Sequence, residues 1–310
     1  MDCNILILGA GGLGCEILKN LVMCQVSAIT IVDMDTIELT NLNRQFLFED
    51  CDIGAPKATT AVNYIQRHHP HARTKLTALV TDLTTLSAEF YKGFDFIISG
   101  LDAIAPRRFV NEMVVQNALQ SNYESLVPFI DSGTEGLKGH VKTIIPGFTA
   151  CWECSIETLP KGEETVPMCT IANNPRNLKH VIEYVISVEY PPGTLPAGAS
   201  DEQIAAHYRD VVDACERRAK QYNIPTDTLT PSYVMGVVKR IIPSVSTMNA
   251  VIAAQACNEA VRIYHDLFAV GDAETPGSNN FCILNGSDGC FAYAFAHERR
   301  PDCPVCSVLS

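Results

Sequence analysis

From residue 3 to about residue 145 the chain alternates short apolar runs with amphipathic stretches. The runs at 5–8, 28–32, 76–80, 94–99 and 127–130 are dominated by Ile, Leu, Val, Ala and Phe and read as buried strands, with helical spacing between them. A strand–helix rhythm with nearly continuous apolar strands predicts a parallel sheet covered by helices on both faces, with ligands at the carboxyl ends of the strands. After Trp152 the rhythm lapses. Pro160, Gly162, Pro167 and Pro175 punctuate a loop-rich stretch, followed by helical patterns at 177–188 and 201–222 and, between them, a mobile-loop candidate at 191–200. Apolar patterning resumes at Gly236 with a buried helix expected over 247–267 and two β-like runs at 281–284 and 291–295. The chain is therefore expected to form one α/β domain from 1–154 plus 235–310, interrupted by a helical insert at 155–234.

The first strand runs into Gly9-Ala10-Gly11-Gly12-Leu13-Gly14, and a helix is predicted over 13–23. Glycines permit the tight turn and close approach of a phosphate, while the helix N-terminus favours an anion. Asp33, 19 positions beyond Gly14 at the end of the next strand, can accept hydrogen bonds from ribose hydroxyls. Loop and acid together indicate a nucleotide and leave NAD and ATP both open. The following run, Asp33-Met34-Asp35 through Asn41, Arg44 and Gln45, brings polar groups to the same strand end, and Lys57 follows Gly54-Ala55-Pro56. Two cations facing a triphosphate would offset its charge as pyrophosphate leaves, which a dehydrogenase does not need. Asp102, after the strand at 94–99, is a candidate magnesium ligand.

Composition narrows the class without choosing the chemistry. Of 310 residues 47% are hydrophobic and 19% charged, enough for a sizeable core. The net charge of -12, with no long basic run, argues against a nucleic-acid partner. The longest apolar stretch, 248–256, contains Asn249 and Gln255 and is far short of a membrane span. No charged leader or transit-type segment precedes the first strand, so a cytoplasmic location is expected, with the nucleus as a second compartment. Thirteen cysteines then suggest reduced thiols.

Cys151-Trp152-Glu153-Cys154 and Cys303-Pro304-Val305-Cys306 are two CxxC pairs able to supply the four thiolates of a closed tetrahedral zinc site. Redox chemistry at one pair and unlinked thiols are the alternatives. Cys169, in the loop-rich start of the insert, is a candidate nucleophile with Arg176 nearby. Cys15, Cys24 and Cys257 fall in apolar or helical patterns and read as packing residues.

The glycine loop, the run from Asp33 to Phe48, Lys57 and the Gly100-Leu101-Asp102 turn together resemble the adenylation domain of the ubiquitin-like-protein activating enzymes, relatives of the bacterial ThiF and MoeB adenylyltransferases. The resemblance extends over Ile130-Asp131-Ser132-Gly133-Thr134-Glu135-Gly136, Pro167-Met168-Cys169-Thr170 and Val237-Val238-Lys239-Arg240-Ile241-Ile242-Pro243, and it is strongest to the branch serving NEDD or Rub modifiers. It implies a Rossmann-like, mainly parallel sheet with a helical catalytic-cysteine insert. It also implies ATP contacts from Gly9, Gly11, Gly12, Gly14, Asp33, Asp35, Asn41, Arg44, Gln45, Lys57 and Asp102, magnesium on Asp102, and structural zinc on Cys151, Cys154, Cys303 and Cys306. The implied reaction is ATP-dependent adenylation of a NEDD or Rub-type modifier, thioester formation on Cys169 and transfer to a conjugating enzyme. Activation of another modifier such as SUMO, a ThiF or MoeB-type sulfur-carrier adenylyltransferase, and more remotely an NAD-dependent oxidoreductase are the alternatives. An inactive adenylation-like regulatory subunit is the expected heterodimer partner, because no helix precedes the first strand to bring an arginine to the γ-phosphate. With four residues after Cys306, a ubiquitin-fold domain is not expected within the chain.

Overall fold

The computed structural model describes residues 1–158, 172–191, 193–196, 198–238, 244–265 and 279–307. The chain divides into two compact units, Met1–Leu159 with Ser244–Ser310, and Pro160–Pro243.

The first unit is built on an eight-stranded sheet of order β3-β2-β1-β4-β5-β6-β7-β8. Five strands, β1 (Asn4–Leu8), β2 (Ala28–Val32), β3 (Lys75–Leu79), β4 (Phe96–Ser99) and β5 (Phe129–Glu135), run parallel. They are joined by α1 (Gly12–Met23), α2 (Lys57–His68), α3 (Ala88–Lys92) and α4 (Ile104–Gln120). The pleat sends Ile5 and Ile7 into one core and Leu6 and Leu8 into the other, so β1 is buried on both faces as an all-apolar central parallel strand must be.

The remaining strands are antiparallel: β6 (Lys138–Ile144), β7 (Phe281–Asn285) and β8 (Phe291–Phe295). The sequence reading ended the fifth strand at 130 and placed no strand at 138–144. The difference arises because Lys138, His140 and Lys142 alternate with small or apolar residues and read as a polar surface segment. In the fold, β5 continues to Glu135, turns at Gly136 with φ +57, and pairs back along all of β6. Helical cover also stops short of the last strands among the described residues, since Ile283, Phe291, Tyr293 and Phe295 are exposed. Antiparallel edge strands tolerate one open face, unlike the central parallel ones.

The helix α8 (Ser246–Tyr264) packs on α1, with Ile252, Ala253, Ala256, Cys257 and Ala260 in the same core as Ile17, Leu18 and Leu21. It is buried on one broad face only, with Val251, Ala254, Asn258 and Val261 exposed; the expected extension to 266–267 lies outside the described residues. Cys15 and Cys257 are buried as expected. Cys24 is exposed, because it caps the end of α1, where Gln25 at φ 55 turns the chain.

In the second unit, α5 (Leu178–Tyr184) continues into one π-helical turn (Val185–Glu189). The long helix α6 (Asp201–Gln221) starts at a capping box of Ser200 and Gln203, and α7 (Pro231–Val238) follows. Val181, Ile182, Val211, Cys215, Ala219 and Val234 form a core of their own. Residues 239–243, part of one quoted motif, are outside the described residues, as are 192 and 197 of the loop at 191–200. No described helix is long and apolar enough to cross a membrane.

Candidate active site

The carboxyl ends of β1, β2 and β4 bring the glycine loop, the Asp33 segment and the Gly100 turn together. Gly9 takes φ +93, a left-handed conformation that a side chain would strain, and its N–H donates to Val32 O at 2.9 Å. Gly14 closes the other side of the loop: a Cβ there would stand 1.9 Å from Gly9 O, so only glycine lets α1 start this close to β1. At Gly100 a Cβ would lie 2.9 Å from Leu13 Cβ, and at Gly9 one would lie 3.2 Å from Gly100 O. The two turns therefore touch backbone to backbone, and the free N–H groups at the start of α1 open beside them.

Asp33 fastens this loop to the segment after β2. Its Oδ2 accepts from Ala10 N at 2.6 Å and its Oδ1 from Asp35 N at 2.8 Å. Burial pushes its carboxyl above the ordinary range, against these two backbone bonds and the Lys57 charge, which favour the anion. Lys57, itself buried, donates from Nζ to Asp35 Oδ2 at 2.8 Å, and its backbone N–H donates to Asp35 O. Asp33, Asp35 and Lys57 thus form one linked group under the loop.

The polar run takes up the other wall. Asn41 is buried and spends its Oδ1 on Glu38 N, ordering the short turn at Leu39–Asn41. Gln45 is buried beside Gly11, and its Oε1 has no hydrogen-bond partner among the described residues, so it keeps an acceptor for a ligand donor. Arg44 lies half-buried with Nη1 on Thr40 O and Asn43 Oδ1, and its backbone carbonyl lies 3.6 Å from where a Gly12 Cβ would be. Asp102 is exposed immediately after the Gly100-Leu101 turn.

One neighbour of the loop was missed in the sequence. Asn249 of α8, 1% exposed, places its Nδ2 2.3 Å from a hypothetical Gly12 Cβ, and is held there by Thr134 Oγ1 at 2.8 Å and Ser244 Oγ at 3.1 Å. The signal was present as a polar residue interrupting an apolar helical run. Buried polar groups of this kind persist where they are paired and shape something.

Cys151, Cys154, Cys303 and Cys306 converge from two distant parts of the chain, all buried, with their sulfurs within 4.8 Å of one another. Separations of 3.8, 3.6 and 3.4 Å are far too long for a disulfide. They lie near the roughly 3.8 Å edge of a tetrahedron with metal–sulfur bonds of about 2.3 Å. Four thiols on four corners fit a closed metal site and leave no position for substrate. Lys142, buried and unforeseen, donates to Cys151 O at 2.9 Å and Ser155 Oγ at 2.8 Å. Burial pushes its ammonium down to about 8, while nearby Cys151 and Cys154 favour the cation. Cys169 lies outside the described residues; Arg176 is exposed at the edge of α5.

A family model described as ThiF family matches residues 1–305. The chain is 57% identical to the NEDD8-activating enzyme E1 catalytic subunit of Saccharomyces cerevisiae, over 99% of this chain and 98% of that protein. It is 40% identical to the protein of the same name in Schizosaccharomyces pombe, over 99% of this chain and 70% of the relative. Among solved structures, Escherichia coli MccB with ATP shares the fold with a TM-score of 0.59 at 17% identity, covering 98% of this chain and 66% of that one.

Proposed function

The chain belongs to the ThiF family, and from that premise we propose that it is the adenylating and thioester-forming subunit of an enzyme that activates a NEDD or Rub-type ubiquitin-like modifier. The observation that carries this reading is the full-length likeness to a NEDD8-activating catalytic subunit, in a chain whose glycine loop, Asp33 clasp and Gly100 turn meet at one sheet end.

In this reading the ATP phosphates lie over the Gly9–Gly14 loop at the N-terminus of α1, and the ribose hydroxyls donate to Asp33. Gln45 accepts from the nucleotide, and Asn41 keeps the polar run in register. Arg44 and Lys57 neutralise charge that grows on the departing pyrophosphate, with Lys57 leaving its ground-state partner Asp35. A magnesium ion held by Asp102 would supply further charge neutralisation. The terminal glycine carboxylate of the modifier attacks the α-phosphorus, the bond to the bridging oxygen breaks, and acyl adenylate and pyrophosphate result. The Cys169 sulfur, as thiolate, then attacks the acyl carbon and AMP leaves. An acyl adenylate is electrophilic enough for this without a dedicated histidine base. Transfer of the acyl group to a conjugating-enzyme cysteine regenerates Cys169. Zinc on the four clustered thiolates would join the two CxxC pairs, and an adenylation-like regulatory subunit would complete a heterodimer.

The test mixes the chain, its partner subunit, MgATP and either a NEDD or Rub-type modifier or SUMO, and reads both ATP–pyrophosphate exchange and a reductant-sensitive thioester. Exchange and thioester with the NEDD or Rub-type modifier are expected. Cys169→Ala is expected to keep exchange and lose the thioester. A thioester on that variant excludes Cys169 as the nucleophile, and activity with SUMO alone overturns the choice of modifier.

A further inference from the structure

The Gly100-Leu101-Asp102 turn is exposed at its tip but fastened from beneath by a group with no assigned role. Arg107, in the first turn of α4 and 9% exposed, turns its guanidinium back under the loop. Nη2 donates to Leu101 O and to Ser132 O at 3.0 Å, and Nη1 donates to Asp131 Oδ2 at 3.0 Å. Asp131, fully buried on β5, is fixed in turn by Trp152 Nε1 at 3.2 Å and has His140 Nε2 at 3.6 Å. Gly133 leaves the room: a Cβ there would stand 3.1 Å from Arg107 Nη2 and 2.6 Å from His140 Cε1.

The carbonyl of Leu101 belongs to the peptide plane that carries the N–H of Asp102. Holding that oxygen fixes the plane and, because the plane ends at the Asp102 Cα, the point from which the Asp102 side chain departs. A guanidinium does this well, since its fork reaches three acceptors in fixed geometry where an ammonium is a point donor. We propose that Arg107, anchored by Asp131, is a positioning residue that aims Asp102 at the metal–nucleotide complex. The proposal rests on the adenylation reading and on Asp102 as a metal ligand. Arg107 itself touches neither nucleotide nor modifier. Its loss would leave the glycine loop and Asp33 intact while letting the Asp102 turn wander, so metal use suffers before nucleotide binding does.

Arg107→Lys tests this most directly, because it keeps a charge beside Asp131 and gives up the fork. In the full chain with its partner subunit, the magnesium concentration giving half-maximal ATP–pyrophosphate exchange is expected to rise five- to tenfold, with metal-free ATP affinity changed less than twofold. Water-proton relaxation with Mn2+ and ATP reads the same site without the modifier and is expected to show a matching loss of metal affinity. The double variant Arg107→Gln with Asp131→Asn removes the buried charge pair together and covers the case in which the single variant fails to fold. Folded variants with wild-type magnesium and Mn2+ midpoints would overturn the proposal. A wild-type enzyme that performs no exchange yet binds Mn2+ with ATP would instead overturn the adenylation reading alone.

Discussion

At Gly14 a single absent carbon decides whether the loop can exist, since any Cβ would sit inside the Gly9 carbonyl. The need for glycine there was legible from spacing alone. That Gly12 is walled by Asn249 was not, because the two are 237 positions apart and only tertiary packing brings them together. Asp33 shows how one residue carries both structure and a pH response. Burial holds its carboxyl above the usual range in the free protein, while in the proposed reading ribose hydroxyls donating to it would favour the anion. Its pKa is therefore expected to fall on nucleotide binding, with release of a proton. Affinity is full above the raised free-state pKa and is lost as pH falls through it. Calorimetric ATP titrations across the acidic range are expected to show that decline, and Asp33→Asn to flatten it at a weaker, pH-independent affinity. An unchanged decline in the variant would assign the titration to another group.

At the scale of elements, the parallel half of the sheet was readable because its central strands β1, β2 and β4 are largely apolar and buried, while β3, at the edge, and β5 also carry polar residues. The antiparallel half was not, and β6 shows why. Its Lys142 is buried and paired with Cys151 O and Ser155, so a residue type that normally marks the surface lies inside. Gly139 on the same strand is where α8 comes down on the sheet. A Cβ there would stand 2.4 Å from Ile252 Cγ1 and 3.0 Å from Gly133 O, so the helix rests against bare backbone. Gly139→Ala is expected to destabilise by about 2 kcal/mol, in the range of overpacked cores. Ile252→Ala alone is expected to cost about 3 kcal/mol as a large-to-small change. Because each change relieves the other's defect, the double variant should cost at least about 1 kcal/mol less than their sum. Denaturant midpoints of the four proteins measure this, and strict additivity would mean that α8 does not seat on Gly139.

For the whole molecule the question is what holds a unit together when its chain leaves at Leu159 and returns at Ser244. The two CxxC pairs stand outside that excursion, with 148 residues between Cys154 and Cys303, a gap unusual for one site that makes sense once an insert leaves after the first pair and the C-terminal stretch returns. The fold brings all four sulfurs to one point. A metal there closes the excursion into a loop, and by analogy with a disulfide the lost unfolded-chain entropy is worth about 5 kcal/mol at most. Each unit has its own core, that of the second centred on Val181, Val211 and Val234. Scanning calorimetry is therefore expected to resolve two transitions. Wild-type protein should carry one zinc per chain, and Cys303→Ser or a chelator should remove it and lower only the transition of the sheet-bearing unit. The other transition should stay in place, because every described cysteine of the cluster and every residue beneath it, Lys142 and Trp152 included, belongs to the first unit. If both transitions fell together, the cluster would be stabilising the association of the two units rather than closing one of them.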